Sequence, residues 1–208
     1  MFVIGITGGV GAGKSEVLKL IRENCSCHII LADDVGNEVK KKGQSCYHEL
    51  VDLLGTDVLR LDGEIDKEKM AKKIFANTDV LAKVNAIIHP AVKQYVVNAI
   101  EDAAMKKEVD FFFVEAALLI ECGYKTIVDE IWYIYATESV RRTRLKENRG
   151  YDETRIDGIM ARQLSECEFR EASNRVIDNS GSIEITRTQI ENILGDPLWK
   201  TKKSITDN

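Results

Sequence analysis

Apolar positions along the chain alternate between two periodicities. Short, nearly continuous apolar runs over residues 2–7, 28–32, 109–115, 129–136 and 175–178 read as strands, and stretches with helical spacing lie between them. Strands alternating with helices predict an α/β protein with a parallel sheet, here of five strands flanked by helices. The run VDFFFVE is almost wholly apolar, as a central strand covered on both faces should be.

Two stretches depart from the strand–helix alternation. Residues 34–107 hold no convincing strand, and Met70, Ile74, Leu81, Val84, Ile87 and Ile88 recur at helical spacing. This predicts a helical insert, in which Pro90 suits the first turn of a new helix. Residues 138–170 form a second helical excursion, with Thr137 as its N-cap. It is rich in arginine, with Arg141, Arg142, Arg144, Arg149, Arg155 and Arg162, and Arg170 sits at its end. The core is then assembled from 1–33, 108–137 and 171–195. The polar stretch 196–208 reads as a peripheral tail.

Composition narrows the class only modestly. The chain has 208 residues, 44% of them hydrophobic, which is enough for one domain of ordinary size with an inserted subdomain. A formal net charge of −5 argues against a general nucleic-acid binder, so any phosphate chemistry must use local cationic clusters. MFVIGIT lacks a basic flank and reads as a strand rather than a targeting peptide, and no apolar run reaches membrane-spanning length. Five cysteines, an odd number, fit reduced thiols in a cytoplasm. Cys25, Cys27 and His28 cluster, but no second ligand pair follows at zinc-site spacing, so no metal is assigned there.

The chemistry begins at Gly8-Gly9-Val10-Gly11-Ala12-Gly13-Lys14-Ser15, which fills every fixed position of G-x-x-x-x-G-K-[ST]. Glycines let successive N–H groups turn toward phosphates, and the following helix adds its positive end. Lys14 reaches the β- and γ-phosphates, and the Ser15 hydroxyl faces Mg²⁺. The motif sits between an apolar strand and an amphipathic helix, so a ligand-free glycine turn is the much weaker reading.

Phosphoryl transfer also needs a base and cations. Asp33 and Asp34 follow the strand HIILA at the strand end that opens into the ligand crevice of an α/β sheet. Either suits a base, and either suits a helix N-cap. Glu115 ends the strand VDFFFVE, where a carboxylate can hold the metal through water or organise the loop. Glu121 closes the segment ALLIE, as a wall of an acceptor pocket or an exposed helix residue. The arginines at 141–149 suit a cationic lid over the triphosphate, against the plainer reading of a solvated face.

In order and spacing these segments resemble the dephospho-coenzyme A kinase family from Met1 to about Gly195. IGITGGVGAGKSE is similar to the family's strand and loop. LADDVGNEV resembles its Asp-Ala-Asp segment, with Asp33 at the second aspartate and Leu31 replacing the first. LLG at 53–55 and LDGEID-K at 61–67 follow, with Lys67 in place of arginine. His89-Pro90, ALLIE with Ala117 in place of proline, RRTRLKENRGYD, Gln163, Arg170 and VIDNSG at 176–181 complete the series.

The resemblance implies ATP-dependent phosphorylation of the ribose 3′-hydroxyl of dephospho-CoA, the last step of coenzyme A synthesis. It implies Asp33 as base, and Lys14, Arg142 and Arg144 at the transferring phosphate. Glu16, Arg149 and Asn179 join the loop residues at the nucleotide. His89, Leu118 and Glu121 meet the acceptor, and Ser15 and Glu115 hold Mg²⁺. The partners implied are a small-molecule substrate, no nucleic acid and no membrane, for a monomer or small homo-oligomer. Another small-molecule or nucleotide kinase is the alternative. A GTP-binding switch would need an Asn-Lys-x-Asp motif, and the chain has none.

Overall fold

The computed structural model describes residues 1–197 and 199. The strands are β1 (Phe2–Thr7), β2 (Cys27–Leu31), β3 (Phe111–Glu115), β4 (Glu130–Tyr135) and β5 (Arg175–Asp178). They form one sheet in the order β2-β3-β1-β4-β5. β1 pairs in parallel with β3, with Phe2 opposite Phe111 and Ile6 opposite Glu115. On its other side it pairs with β4, Ile4 opposite Glu130 and Thr7 opposite Tyr133. Chain order reverses at β1, so the loop after it opens into the crevice where α/β folds bind ligands.

Apolar composition explains the centre of the sheet. All six residues of β1 are buried, and Phe112, Phe113, Trp132 and Ile134 are inaccessible or nearly so. Helix α1 (Lys14–Asn24) packs Val17, Leu18, Leu20 and Ile21 into this core. The strands match the sequence reading to within two residues at either end.

The chain divides into two compact units. One is Met1–Ile29 with the chain from Asp102 onward, and the other is Ile30–Glu101. The second unit is helical, with α2 (Ala32–Glu38), α3 (Tyr47–Leu54), α4 (Lys67–Ala76) and α5 (Thr78–Lys106), the last running on into the first unit. Its buried side chains include Val35, Leu50, Leu54, Met70, Val84 and Val92.

Three expectations change, those for Pro90, for the aspartates as N-caps and for Trp199, and the N-cap expected at Thr137 holds. Pro90 does not open a helix; it lies inside the 29-residue α5. An interior proline supplies no amide to the carbonyl four residues back, here that of Ala86; the Cys46 thiol donates to the neighbouring Ile87 carbonyl at 3.6 Å. Neither Asp33 nor Asp34 is an N-cap: Leu31 holds that position in extended conformation, and both aspartates lie in the first turn of α2. Their charge there suits the positive end of the helix. Thr137 occupies the N-cap of α6 (Glu138–Arg149) but makes no side-chain cap bond. Trp199 is not peripheral. It is buried against Phe2, Phe111 and Trp132, with ring centroids 5.0, 5.6 and 6.3 Å away. Leu198 and residues 200–208 of the expected tail lie outside the described residues.

After α6 the arginine-rich segment continues through α7 (Glu153–Met160) and α8 (Glu166–Ala172), and α9 (Ile183–Leu194) follows β5.

Candidate active site

The loop from Gly8 to Gly13 leaves β1 and ends where α1 starts. Gly13 is the N-cap of α1 with φ 89°, a left-handed conformation that a side chain rarely adopts, and a Cβ there would also collide with Asn179 Nδ2. No side chain caps α1. The positive end of the helix is left for an anion.

Lys14 Nζ donates to the Gly8 carbonyl at 3.0 Å and lies 3.4 Å from Glu115 Oε1. Both side chains are largely buried, with 16% and 14% exposure. The pairing follows from the sheet: Glu115 ends β3 opposite Ile6 of β1, so it stands beside the start of the loop. Ser15 is the second residue of α1. A serine hydroxyl and a carboxylate are hard oxygen ligands that suit Mg²⁺, and a lysine ammonium suits phosphate.

Asn179 is buried behind the loop. Its Nδ2 donates to the Ala12 carbonyl at 2.8 Å, and its Oδ1 accepts from Thr186 Oγ1 at 3.0 Å. The side chain expected at the nucleotide thus holds the loop backbone. Arg144 joins it, donating to the Ala12 carbonyl at 3.2 Å and to the Asn179 carbonyl at 2.9 Å. Arg141 lies on the loop as well, with Nε 2.9 Å from the Val10 carbonyl. Burial holds its pKa below the ordinary arginine value.

Arg142 points elsewhere. Its three guanidinium nitrogens donate to Glu138, Glu153 and Asp157 at 2.8, 2.9 and 2.6 Å, which raises its pKa. The split follows helical geometry: positions 141 and 144 share a face, and 142 is turned about 100° away. Singling out Arg142 and Arg144 therefore missed Arg141, which three-residue spacing from Arg144 would have found. Arg149 is exposed near the Tyr151 ring, 6.0 Å from its centroid, and Glu16 is exposed and paired with Lys19 at 3.3 Å.

Of the residues expected at the acceptor, Leu118 is exposed and Glu121 lies in a turn after β3, not in a helix. His89 is half-buried on α5. The second unit carries a cavity of about 560 Å³ lined by Asn37, Lys40, Arg60, Glu64, Lys67 and Met70 among others. Lys40, which sequence reading did not single out, is half-buried there. Burial and then the Lys67 charge lower its pKa, while Asp33 acts in the opposite direction. No described carboxylate lies within ion-pair distance of Lys40 or Lys67.

The sheet order, the glycine loop and its lysine define a P-loop kinase. The dephospho-CoA kinase family model matches residues 2–184. A dephospho-CoA kinase from Carboxydothermus hydrogenoformans is 34% identical over 198 residues, 95% of each chain. One from Bacillus cereus is 32% identical over 192 residues, 92% of this chain and 95% of its own. Among solved structures, a dephospho-CoA kinase from Campylobacter jejuni superposes with a TM-score of 0.72 at 16% identity, covering 96% and 98% of the chains. A shikimate kinase from Acinetobacter baumannii gives 0.52 at 13%, covering 98% and 95%, and shares the fold alone. The chain belongs to the dephospho-CoA kinase family.

Proposed function

We propose that the chain transfers the γ-phosphoryl group of ATP to the ribose 3′-hydroxyl of dephospho-CoA, with Asp33 as base and Mg²⁺ held near Ser15 and Glu115. Family membership carries the reaction. The position of Asp33, in the first turn of α2 directly after β2, supports its role.

The steps assigned to the chain are few. Loop amides and the N-terminus of α1 receive the phosphates, and Lys14 leaves Glu115 to meet the β,γ-bridge. Asp33 accepts the proton of the 3′-hydroxyl as its oxygen bonds to the γ-phosphorus. The bond from that phosphorus to the bridging oxygen breaks, and ADP leaves. Arg141 and Arg144 face the loop and suit charge developing on the transferred group. Arg142 organises α6 against α7 in this arrangement. Mg²⁺, when bound, neutralises phosphate charge.

The unit Ile30–Glu101 is assigned to the acceptor, with His89 and the lysines of its cavity as contacts; Leu118 and Glu121 are further acceptor residues. Arg149 is assigned to the nucleotide. The five cysteines are free thiols, which supports a reducing compartment such as cytoplasm. Among the described residues no helix is long and apolar enough to cross a membrane. The test is ADP release with ATP, Mg²⁺ and a panel of acceptors. Release that depends on dephospho-CoA supports the reading; release that prefers another nucleoside or sugar would replace it.

A further inference from the structure

Gln163 lies in the segment between α7 and α8, far in sequence from the glycine loop. Its Oε1 accepts two hydrogen bonds, from the Val10 N–H at 3.1 Å and from Arg141 Nη2 at 2.8 Å. Arg141 Nε donates to the Val10 carbonyl at 2.9 Å. The three groups close a ring: Val10 N–H to Gln163, Arg141 to Gln163, and Arg141 back to Val10. Both partners of Oε1 are donors, so the orientation of the amide is fixed by its surroundings.

Val10 is flanked by Gly9 and Gly11, the most permissive backbone in the loop. At Gly9 the absence of a side chain leaves room for the Arg141 guanidinium, which a Cβ would displace. A loop of this composition samples many conformations unless something external holds it, and each residue ordered on binding weakens affinity. Gln163 and Arg141 supply that hold by engaging both the N–H and the carbonyl of one residue.

We infer that Gln163 is a positioning residue of the phosphate-binding loop: acting through Val10 and Arg141, it keeps the loop in the conformation that receives the ATP phosphates. It does not itself touch the nucleotide. The inference concerns the ATP side and stands whatever the acceptor, so ATP binding itself is the primary readout.

The test uses the full chain and three variants. Gln163→Met keeps length and removes the acceptor oxygen. Gln163→Asn keeps the amide and shortens its reach. Gln163→Glu keeps both reach and acceptor oxygens. Calorimetric titration with ATP should show roughly fivefold to tenfold weaker binding for Gln163→Met and Gln163→Asn, the scale of a lost hydrogen bond or two. Gln163→Glu keeps the acceptor but adds a negative charge beside the phosphates, so it too should bind ATP more weakly than the parent. In turnover, the KM for ATP should rise in parallel while the KM for dephospho-CoA holds. Unaltered ATP binding in Gln163→Met would overturn the inference. So would an equal rise in both KM values. Loss of activity toward dephospho-CoA in the parent would count against the proposed acceptor and leave this inference intact.

Discussion

Lys14 Nζ and Glu115 Oε1 lie 3.4 Å apart at the mouth of the glycine loop, on side chains that are both largely buried. The lysine is therefore held by a carboxylate and the Gly8 carbonyl at the place where phosphates are expected. Lys14→Ala should lower turnover by about a hundredfold or more, the scale for losing a charge-stabilising donor. Near-normal steady-state rates in that variant would remove the loop from the mechanism. Glu115→Gln should raise the Mg²⁺ concentration needed for half-maximal rate and leave the dephospho-CoA KM unchanged. A Mg²⁺ titration that overlays the parent's would return Glu115 to a purely structural role.

Asp33 and Asp34 are neighbours in the first turn of α2, and both are exposed. Successive helical positions point about 100° apart, so the two cannot serve one acceptor hydroxyl equally. Asp33→Asn should reduce kcat strongly while ATP affinity holds, and Asp34→Asn should remain within a few-fold of the parent. Measuring kcat and ATP binding for both separates them; the opposite pattern would move the base to Asp34.

Lys40 illustrates a cost of binding anions. Burial and the Lys67 ammonium keep its pKa below the ordinary value of 10.5. Below the lowered pKa the amine is charged in the folded and the unfolded chain alike, and there the folded state carries the full penalty of that charge. The penalty fades as pH rises through the lowered pKa and is absent above the unfolded one. Lys40→Met should therefore raise the melting temperature at pH 7, with a smaller gain near pH 10.5. The same variant should raise the dephospho-CoA KM and leave the ATP KM unchanged. Thermal melts at both pH values and initial rates check this; a lower melting temperature at pH 7 would show that Lys40 has a stabilising partner.

Gly13 combines a left-handed backbone with contact to Asn179. Gly13→Ala should destabilise the chain by at least ~1 kcal/mol and weaken ATP binding, because the Asn179–Ala12 hydrogen bond must shift with it. Urea unfolding and ATP titration measure the two effects. Stability equal to the parent's would mean that the loop accommodates a Cβ by moving.

Legibility in the sequence followed the range of the interaction. β1, the loop and α1 are contiguous, and apolar run, glycines and amphipathic helix declare them. Pro90 misled because a proline ordinarily suits a helix start, whereas the 29-residue α5 carries it in its interior. Trp199 lies in a polar stretch, and only the aromatic side chains of β1, β3 and β4 reveal why it is buried. Within the site, Arg141 was hidden among the cluster's other arginines until helical phase separated it from Arg142. Asn179 and Lys40 take their surroundings from tertiary contacts, which local pattern does not carry.

The most direct test of the account is a coupled ADP-release assay of the purified chain with ATP and Mg²⁺, comparing dephospho-CoA with its 3′-deoxy analogue. The account predicts stoichiometric ADP release and coenzyme A formation with dephospho-CoA, and only background release with the analogue. Equal release with both, or none with dephospho-CoA, would contradict it.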